Sequence, residues 1–157
     1  ETIRTSCMVM VIVAGATMFG HFLAVTGVPT QFAGWLSGLP VPPWVIIIMI
    51  MAFYLVAGCF IDSLALILLT IPIFYPVIIG LKYDPIWFGV IIVLVTQMGV
   101  ITPPVGVNVY VVSGIDRSIP LQTVFRGAMP FLYALFGAGG LLMVFPKLAT
   151  WLPQIVR

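Results

Sequence analysis

Long apolar stretches alternate along this chain with short segments that are rich in glycine, proline and polar residues. An uncharged apolar stretch of about 20 residues can cross ~30 Å of hydrocarbon as a helix. The stretch at 6–26 has this length, and the Thr-Gly-Val-Pro sequence that follows predicts its end. The pattern as a whole predicts five elements: a transmembrane helix at 6–26, an interfacial connection at 30–43, a re-entrant helical hairpin at 44–80, a broken transmembrane helix at 85–114 and a transmembrane helix at 127–146.

The predicted hairpin follows from the length of the segment 44–80 and from the sequence GCFIDS at its centre. As one straight helix, its roughly 37 residues would measure ~55 Å, well beyond the bilayer core. An aspartate and non-helical backbone at membrane depth persist only where they face protein or a water-filled cavity. We therefore favour two short helices that enter and leave the membrane on the same side and meet at 58–63. Two short helices that each cross the membrane are the alternative.

The segment 85–114 begins after Asp84, with Pro85 at its first position, which is typical of a capped helix start. Its roughly 30 residues would measure ~45 Å as one straight helix, again too long for a simple crossing. The sequence GVITPPVG at 99–106 interrupts it with two prolines and two glycines. We therefore predict a crossing helix that is broken near its centre.

The break predicts a site for ions or polar groups. Pro103 and Pro104 have no backbone N–H, and their rings clash with carbonyls one turn earlier, so carbonyls at 99–102 should lose their helical partners. Such groups are costly in hydrocarbon unless something else binds them. Carbonyl oxygens and the Thr102 hydroxyl would form an all-oxygen shell for a cation. N–H groups at 106–108, where the second half-helix begins, would suit an anionic group.

The candidate binding residues come from both interruptions. Asp62 is the one acid that lies deep within an apolar unit, so it could be a ligand or the buried partner of a basic residue outside this chain. For sodium we predict ligands from Gly99, Thr102 and Val105, through backbone and hydroxyl oxygens. The full predicted set for sodium and substrate is Gly58, Asp62, Ser63, Gly99, Thr102, Pro103, Val105, Gly106 and Asn108.

Composition supports a membrane protein. Of 157 residues, 62% are hydrophobic and 6% are charged, and the mean hydropathy is +1.28. The net charge of +2 arises from so few residues that it indicates no nucleic-acid partner. Cys7 and Cys59 lie in apolar runs and are predicted to be buried free thiols. The chain begins with Glu1 and has no evident signal peptide, so we expect it to be cut from a longer polypeptide.

The residues also resemble a known family, the large membrane subunits of tripartite ATP-independent periplasmic (TRAP) transporters, over their C-terminal half. The resemblance is densest over 55–130. One feature departs from the usual pattern: Gln97 and Met98 stand where the family more often has Asn and an acidic residue. The matching features are Gly58 and Asp62 at the hairpin tip, Pro72 and Pro76, the Asp84-Pro85 turn with Phe88, Gly89 and Val90 after it, and the Thr-Pro-Pro-Val-Gly loop at 102–106.

The resemblance implies one half of an inverted-repeat, elevator-type transporter in the bacterial inner membrane. It implies sodium-coupled import of organic anions such as C4-dicarboxylates or sialic acid, with no enzymatic activity and no cofactor other than Na⁺ as the coupling ion. The implied partners are a small four-helix membrane subunit and a periplasmic substrate-binding protein. It also places the hairpin opening on the periplasmic side, which charge does not decide, since Arg4, Arg117 and Arg126 fall on one side and Lys82, Lys147 and Arg157 on the other.

Three alternatives belong to other classes or families. One is another ion-coupled anion transporter family with similar hairpins, and a second is a non-catalytic channel or assembly subunit. The third, an intramembrane aspartyl protease, needs a second acid close to Asp62. The remaining acids, Glu1, Asp84 and Asp116, are predicted at interfaces or in loops, which disfavours it.

Overall fold

The computed structural model describes residues 2–103, 105–115 and 119–155, and the predictions for Glu1, Pro104, Asp116, Arg117 and Arg157 lie outside these ranges. The described residues form helices without any strand, which confirms the prediction of an all-α protein. The helices are α1 (Thr2–Thr26), α2 (Val28–Ser37), α3 (Pro43–Gly58), α4 (Ser63–Gly80), α5 (Pro85–Gly99), α6 (Val107–Ile115), α7 (Leu121–Val144) and α8 (Lys147–Ile155).

Two aspartates determine where α4 and α5 begin. The side chain of Asp84 accepts hydrogen bonds from the backbone N–H groups of Ile86 (2.7 Å) and Trp87 (3.3 Å), and Pro85 occupies the first turn. This confirms the predicted start of the broken helix. Asp62 caps α4 in the same way. Each carboxylate satisfies N–H groups that have no partner within the helix.

The last third of the chain differs from the predicted boundaries. Helix α7 begins at Leu121, six residues before the predicted start at 127. The sequence at 116–127 predicts a loop with an amphipathic start to the last helix, and the helix begins within this segment, directly after Pro120 in an extended conformation. Helix α8, beyond the predicted end at 146, was not predicted as a separate element.

Helices α4 and α5 lie at the centre of the packing. Helix α4 packs against α1, α2 and α5, and α5 packs against α3, α4, α7 and α8. Large aromatic side chains fill the space between α3 and α4: the ring of Phe74 lies 5.6 Å from those of Phe53 and Tyr54. The hydroxyl of the fully buried Tyr54 is hydrogen-bonded to that of Thr70. The chain therefore folds back at 59–62, and the two helices contact each other through side chains.

Much of the outer surface is apolar, as expected for helices that contact lipid. Helices α1, α4 and α7 are long and apolar enough to cross a membrane, and α3 and α5 are shorter apolar helices. Many large apolar side chains on these helices are exposed, including Val11, Phe22 and Phe131. Both cysteines are free, and Cys59 is buried as predicted, but Cys7 is exposed on α1, so the prediction of a buried Cys7 is wrong.

Candidate binding cleft

The two interruptions of the chain come together because α3 and α5 touch through glycines near their C-terminal ends. A methyl group built on Gly99 would lie 2.7 Å from the carbonyl carbon of Gly58 and 2.9 Å from the carbonyl oxygen of Leu55. A methyl group on Gly58 would lie 3.2 Å from the carbonyl oxygen of Thr96. The backbones are therefore in direct contact, which only glycine permits at this distance. The tip at 59–62 and the loop at 100–106 begin next to this contact.

The first interruption presents the carboxylate of Asp62. Its Oδ2 atom accepts hydrogen bonds from the backbone N–H groups of Leu64 (3.0 Å) and Ala65 (3.2 Å). Its Oδ1 atom accepts no hydrogen bond from the residues that the structure describes. Asp62 is exposed, and Ser63 after it is half-buried. The carboxylate thus serves as a helix cap and still has oxygen lone pairs for a ligand.

The second interruption is closed by hydrogen bonds that the sequence did not predict. Thr102 donates its backbone N–H to the carbonyls of Met98 (3.0 Å) and Gly99 (3.1 Å), and its hydroxyl to Met98 (2.7 Å). Asn108 donates its backbone N–H to the carbonyl of Val100 across the loop (3.2 Å). The carbonyls of Gly99 and Val100 therefore have partners other than those of a regular helix, whereas those of Ile101 and Thr102 accept no backbone hydrogen bond from the described residues. The N–H of Asn108 is likewise not directed at a ligand.

Gly106 makes the turn from the loop into α6. Its φ of +57° lies in the left-handed region, which glycine adopts without steric cost. Its carbonyl accepts hydrogen bonds from the N–H groups of Val109 (2.8 Å) and Tyr110 (3.2 Å), which start the helix. The turn at Gly106 thus directs α6 back towards the end of α5.

A cleft of about 410 Å³ lies between these elements. It is bordered by the start of α4, the end of α5 and the start of α6. The lining includes one carboxylate, one hydroxyl and two amides, and none of the described lining residues is basic. The lining residues are Asp62, Ser63, Leu64, Ile67, Gln97, Val100, Val107 and Asn108.

The predicted site residues fall into three groups in the structure. Asp62, Ser63 and Asn108 line the cleft. Gly58 and Gly99 form the contact between α3 and α5. The remaining four shape the loop beside the cleft: Thr102, Pro103, Val105 and Gly106.

Gln97 is the one polar residue among the described lining residues that the predicted set omitted. Thr96, its neighbour in the chain, is fully buried, and its hydroxyl donates to the carbonyls of Ile92 and Val93. One residue along a helix turns the side chain by about 100°, so Gln97 points away from α3 and shares a face with Val100. The glycine at 99 marks the face that packs on α3. Because Gln97 lies two residues before Gly99, about 200° around the helix, this spacing could have placed Gln97 on the side of α5 that faces away from α3.

The described acids do not form a catalytic pair. Asp84 caps the start of α5, whereas Asp62 lines the cleft at the C-terminal end of that helix. A helix of 15 residues separates these two ends by ~20 Å. A protease dyad needs carboxylates in contact. Within the described ranges, therefore, no acid lies close enough to Asp62 to form the pair that the aspartyl protease alternative needs.

Apolar helices with two interruptions that meet at a polar cleft are typical of membrane transporters. The chain belongs to the family of the DctM component of tripartite ATP-independent periplasmic transporters, whose family model matches residues 1–148. This confirms the resemblance, and it identifies the chain with a transporter permease family, which is a non-enzyme kind of function.

Individual relatives support the same assignment. The chain is 35% identical to the C4-dicarboxylate TRAP transporter large permease protein DctM of Pseudomonas aeruginosa and 37% identical to the sialic acid TRAP transporter large permease protein SiaM of Vibrio cholerae. It is 32% identical to the isethionate TRAP transporter permease protein DctMQ of Oleidesulfovibrio alaskensis. Each alignment covers 99% of this chain, but 34%, 36% and 23% of the respective relative. The chain thus spans about a third of the length of the first two relatives.

Proposed function

We propose that this chain is part of the large permease subunit of a sodium-coupled transporter that imports an organic anion across the bacterial inner membrane. Family membership supports the transporter class, and the names of three relatives specify C4-dicarboxylate, sialic acid and isethionate, which are all anions. By the same reasoning, the partners are a small four-helix membrane subunit and a periplasmic binding protein that delivers the solute. Neither nucleic acid nor an organic cofactor is part of the proposal.

The observation that carries the proposal is the charge balance of the cleft. Asp62 contributes a carboxylate, and no basic side chain is among the described lining residues. An anionic solute that entered this cleft alone would be repelled by Asp62. A sodium ion bound beside it would supply the missing positive charge, and solute binding would then depend on the ion. This dependence is what coupled transport requires.

Oxygen atoms suited to sodium lie on both interruptions. On the tip they are the Oδ1 atom of Asp62 and the hydroxyl of Ser63. On the loop, the Thr102 hydroxyl directs its proton to the carbonyl of Met98, so its lone pairs are available for a cation. The carbonyl of Gly99 has a second lone pair beyond the one that Thr102 uses, and that of Val105 accepts no backbone hydrogen bond from the described residues.

The test is solute uptake by the complete transporter, with its small subunit and binding protein, in proteoliposomes. Labelled succinate, N-acetylneuraminate and isethionate would be offered over a range of external sodium concentrations. We expect one of them to accumulate in a saturable, sodium-dependent manner. Sodium-independent accumulation would contradict the coupling, and passive equilibration of all three solutes would favour a channel or assembly role instead.

Thr102→Val isolates the contribution of the loop to sodium binding. The substitution keeps the side-chain shape and removes one oxygen ligand, which should cost about 1.5–3 kcal/mol, or roughly 10- to 150-fold in sodium half-saturation. The matched control is Thr17→Val on α1, where an exposed hydroxyl makes a similar bond to the carbonyl of Ala14 (2.8 Å). Equal sodium half-saturation in both variants would exclude Thr102 as a ligand.

Pro103→Ala tests whether the open backbone matters. Alanine restores an N–H and removes the ring, so the backbone can continue the helix beyond Gly99 and withdraw carbonyls from the ion. We expect sodium-dependent uptake to fall while the protein remains folded. Unchanged transport would mean that the break is a plain kink.

A further inference from the structure

Phe125 lies against the turn that ends the loop. A methyl group built on Gly106 would lie 2.9 Å from Cε1 and 3.1 Å from Cζ of the Phe125 ring. The ring therefore occupies the space that any other residue at 106 would need. This requirement for glycine is separate from the one imposed by its φ of +57°.

The ring belongs to a different part of the chain from the loop that it contacts. Phe125 lies in the second turn of α7 and is half-buried. It also meets Tyr110 of α6 edge to face, with ring centroids 6.5 Å apart and an interplanar angle of 89°. Edge-to-face pairs of this kind are favourable beyond the area that they bury. Phe125 thus joins the start of α7 to both the turn and α6.

The hydrogen bond between Asn108 and Val100, which closes the loop, depends on the turn that Phe125 contacts. The N–H of Asn108 can reach the carbonyl of Val100 only if the chain reverses at Gly106. That reversal places Asn108 at the cleft. If the turn at Gly106 moved, Asn108 would lose its hydrogen bond to Val100, and the positions of Val105 beside the cleft and of Asn108 in its lining would change.

We infer that Phe125 is a positioning residue: its ring holds the turn at Gly106 and thereby keeps the loop in the form that binds. The inference rests on the proposed function for the identity of what is bound. The ring itself does not line the cleft. Its effect on binding is exerted through the loop.

The first experiment measures the mobility of the loop without reference to any ligand. Val105→Cys would be introduced into the full-length transporter, reconstituted with its small subunit and otherwise free of cysteine, and its rate of alkylation by a small maleimide recorded. Phe125→Ala should raise that rate by about fivefold or more, equivalent to about 1 kcal/mol at 1.4 kcal/mol per tenfold. Phe125→Met, whose side chain reaches a similar depth, should restore a rate close to that of the unmodified Phe125 protein. The control is Phe131→Ala on the same helix, where the ring is 71% exposed.

The second experiment asks whether the contact matters for transport. In proteoliposomes, Phe125→Ala should raise the half-saturation for sodium severalfold and leave the maximal rate per folded transporter within about twofold, and Phe125→Met should reverse the change. A general loss of folding would lower the maximal rate instead. If wild-type uptake proves independent of sodium, the proposed coupling fails, and the half-saturation for the solute takes its place here.

The outcomes are distinct. Faster alkylation together with a raised half-saturation in Phe125→Ala, and neither in Phe131→Ala, supports the positioning role. An alkylation rate unchanged by Phe125→Ala overturns it, as does faster alkylation with unchanged half-saturation. If Phe125→Ala does not fold, Phe125→Met decides the matter through the same two measurements. A faster alkylation rate or a raised half-saturation in Phe125→Met would contradict the inference that a side chain reaching as far as the ring is enough to hold the turn.

Discussion

At the scale of single residues, Gly58 and Gly99 govern how closely α3 and α5 approach. Their α-carbons face the neighbouring backbone, so a side chain at Gly99 would collide with Gly58. The contact between the two glycines brings the tip at 59–62 and the loop at 100–106 to the same cleft. In a membrane helix, small residues serve this purpose widely, since they let backbones pack without an intervening side chain.

Gly99→Ala should destabilise the protein, because the new methyl group would lie 2.7 Å and 2.8 Å from backbone carbons of Gly58. Backbone cannot move aside as a flexible side chain can, so we expect a loss of about 1–3 kcal/mol, typical of overpacking. Gly89→Ala is the matched control in the same helix, where nothing lies within 4 Å of the new methyl group. Melting of the two purified variants in detergent would test this. Equal melting temperatures would show that α3 and α5 are further apart than described.

At the scale of elements, two aspartates fix where α4 and α5 begin. Asp62 and Asp84 cap α4 and α5 with two hydrogen bonds each, so the two aspartates are structurally equivalent. They differ in location, because Asp62 lines the cleft and Asp84 does not. A helix cap and an ion ligand depend on different properties of a carboxylate. The first needs an oxygen acceptor, and the second benefits from the negative charge.

Asp62→Asn and Asp84→Asn together separate these two roles. Asparagine caps helices about as well as aspartate, so both variants should keep their stability to within about 1 kcal/mol. If Asp62 binds sodium, only Asp62→Asn should raise the sodium concentration at half-saturation. We expect a rise of about tenfold or more, at 1.4 kcal/mol per tenfold. Thermal melting and sodium-dependent uptake would be measured on both. Normal uptake by Asp62→Asn would leave Asp62 as a cap alone.

At the scale of the whole molecule, the length of the α3–α4 pair relates it to the membrane. Helix α3 has 16 residues and α4 has 18, so they measure ~24 and ~27 Å, slightly less than the ~30 Å hydrocarbon core. Helix α4 also satisfies the length and composition of a spanning helix. The re-entrant hairpin and the pair of short spanning helices therefore remain two predictions with different sidedness for the tip.

Cysteine labelling distinguishes these arrangements. Ile61→Cys at the tip and Lys82→Cys after α4 would be treated with membrane-impermeant maleimide from each side, in a complete transporter without other cysteines. For a re-entrant hairpin we expect Lys82→Cys to react from one side, and Ile61→Cys to react weakly or from that same side. Strong labelling of Ile61→Cys from the opposite side, both with and without sodium and solute, would contradict the hairpin.

What the sequence determined by itself is local chemistry. A proline lacks an N–H wherever it occurs, so the interruption at 99–106 and the change from α5 to α6 followed directly from Pro103 and its neighbours. The cap at Asp84 and the helix start at Pro85 followed from the side chains themselves. The apolar composition determined the class, since such helices lose little by contacting lipid.

Only the tertiary structure decided which faces of these helices meet. Helices α3 and α5 are apolar on nearly every side, so no amphipathic pattern marks the face that is buried. Packing places Gln97 at the cleft and Thr96 against α3. It also places the ring of Phe125 on Gly106 and joins Asn108 to Val100 across the loop. These contacts link segments whose relative rotation depends on the fit of whole helices, a property that no single stretch of sequence carries.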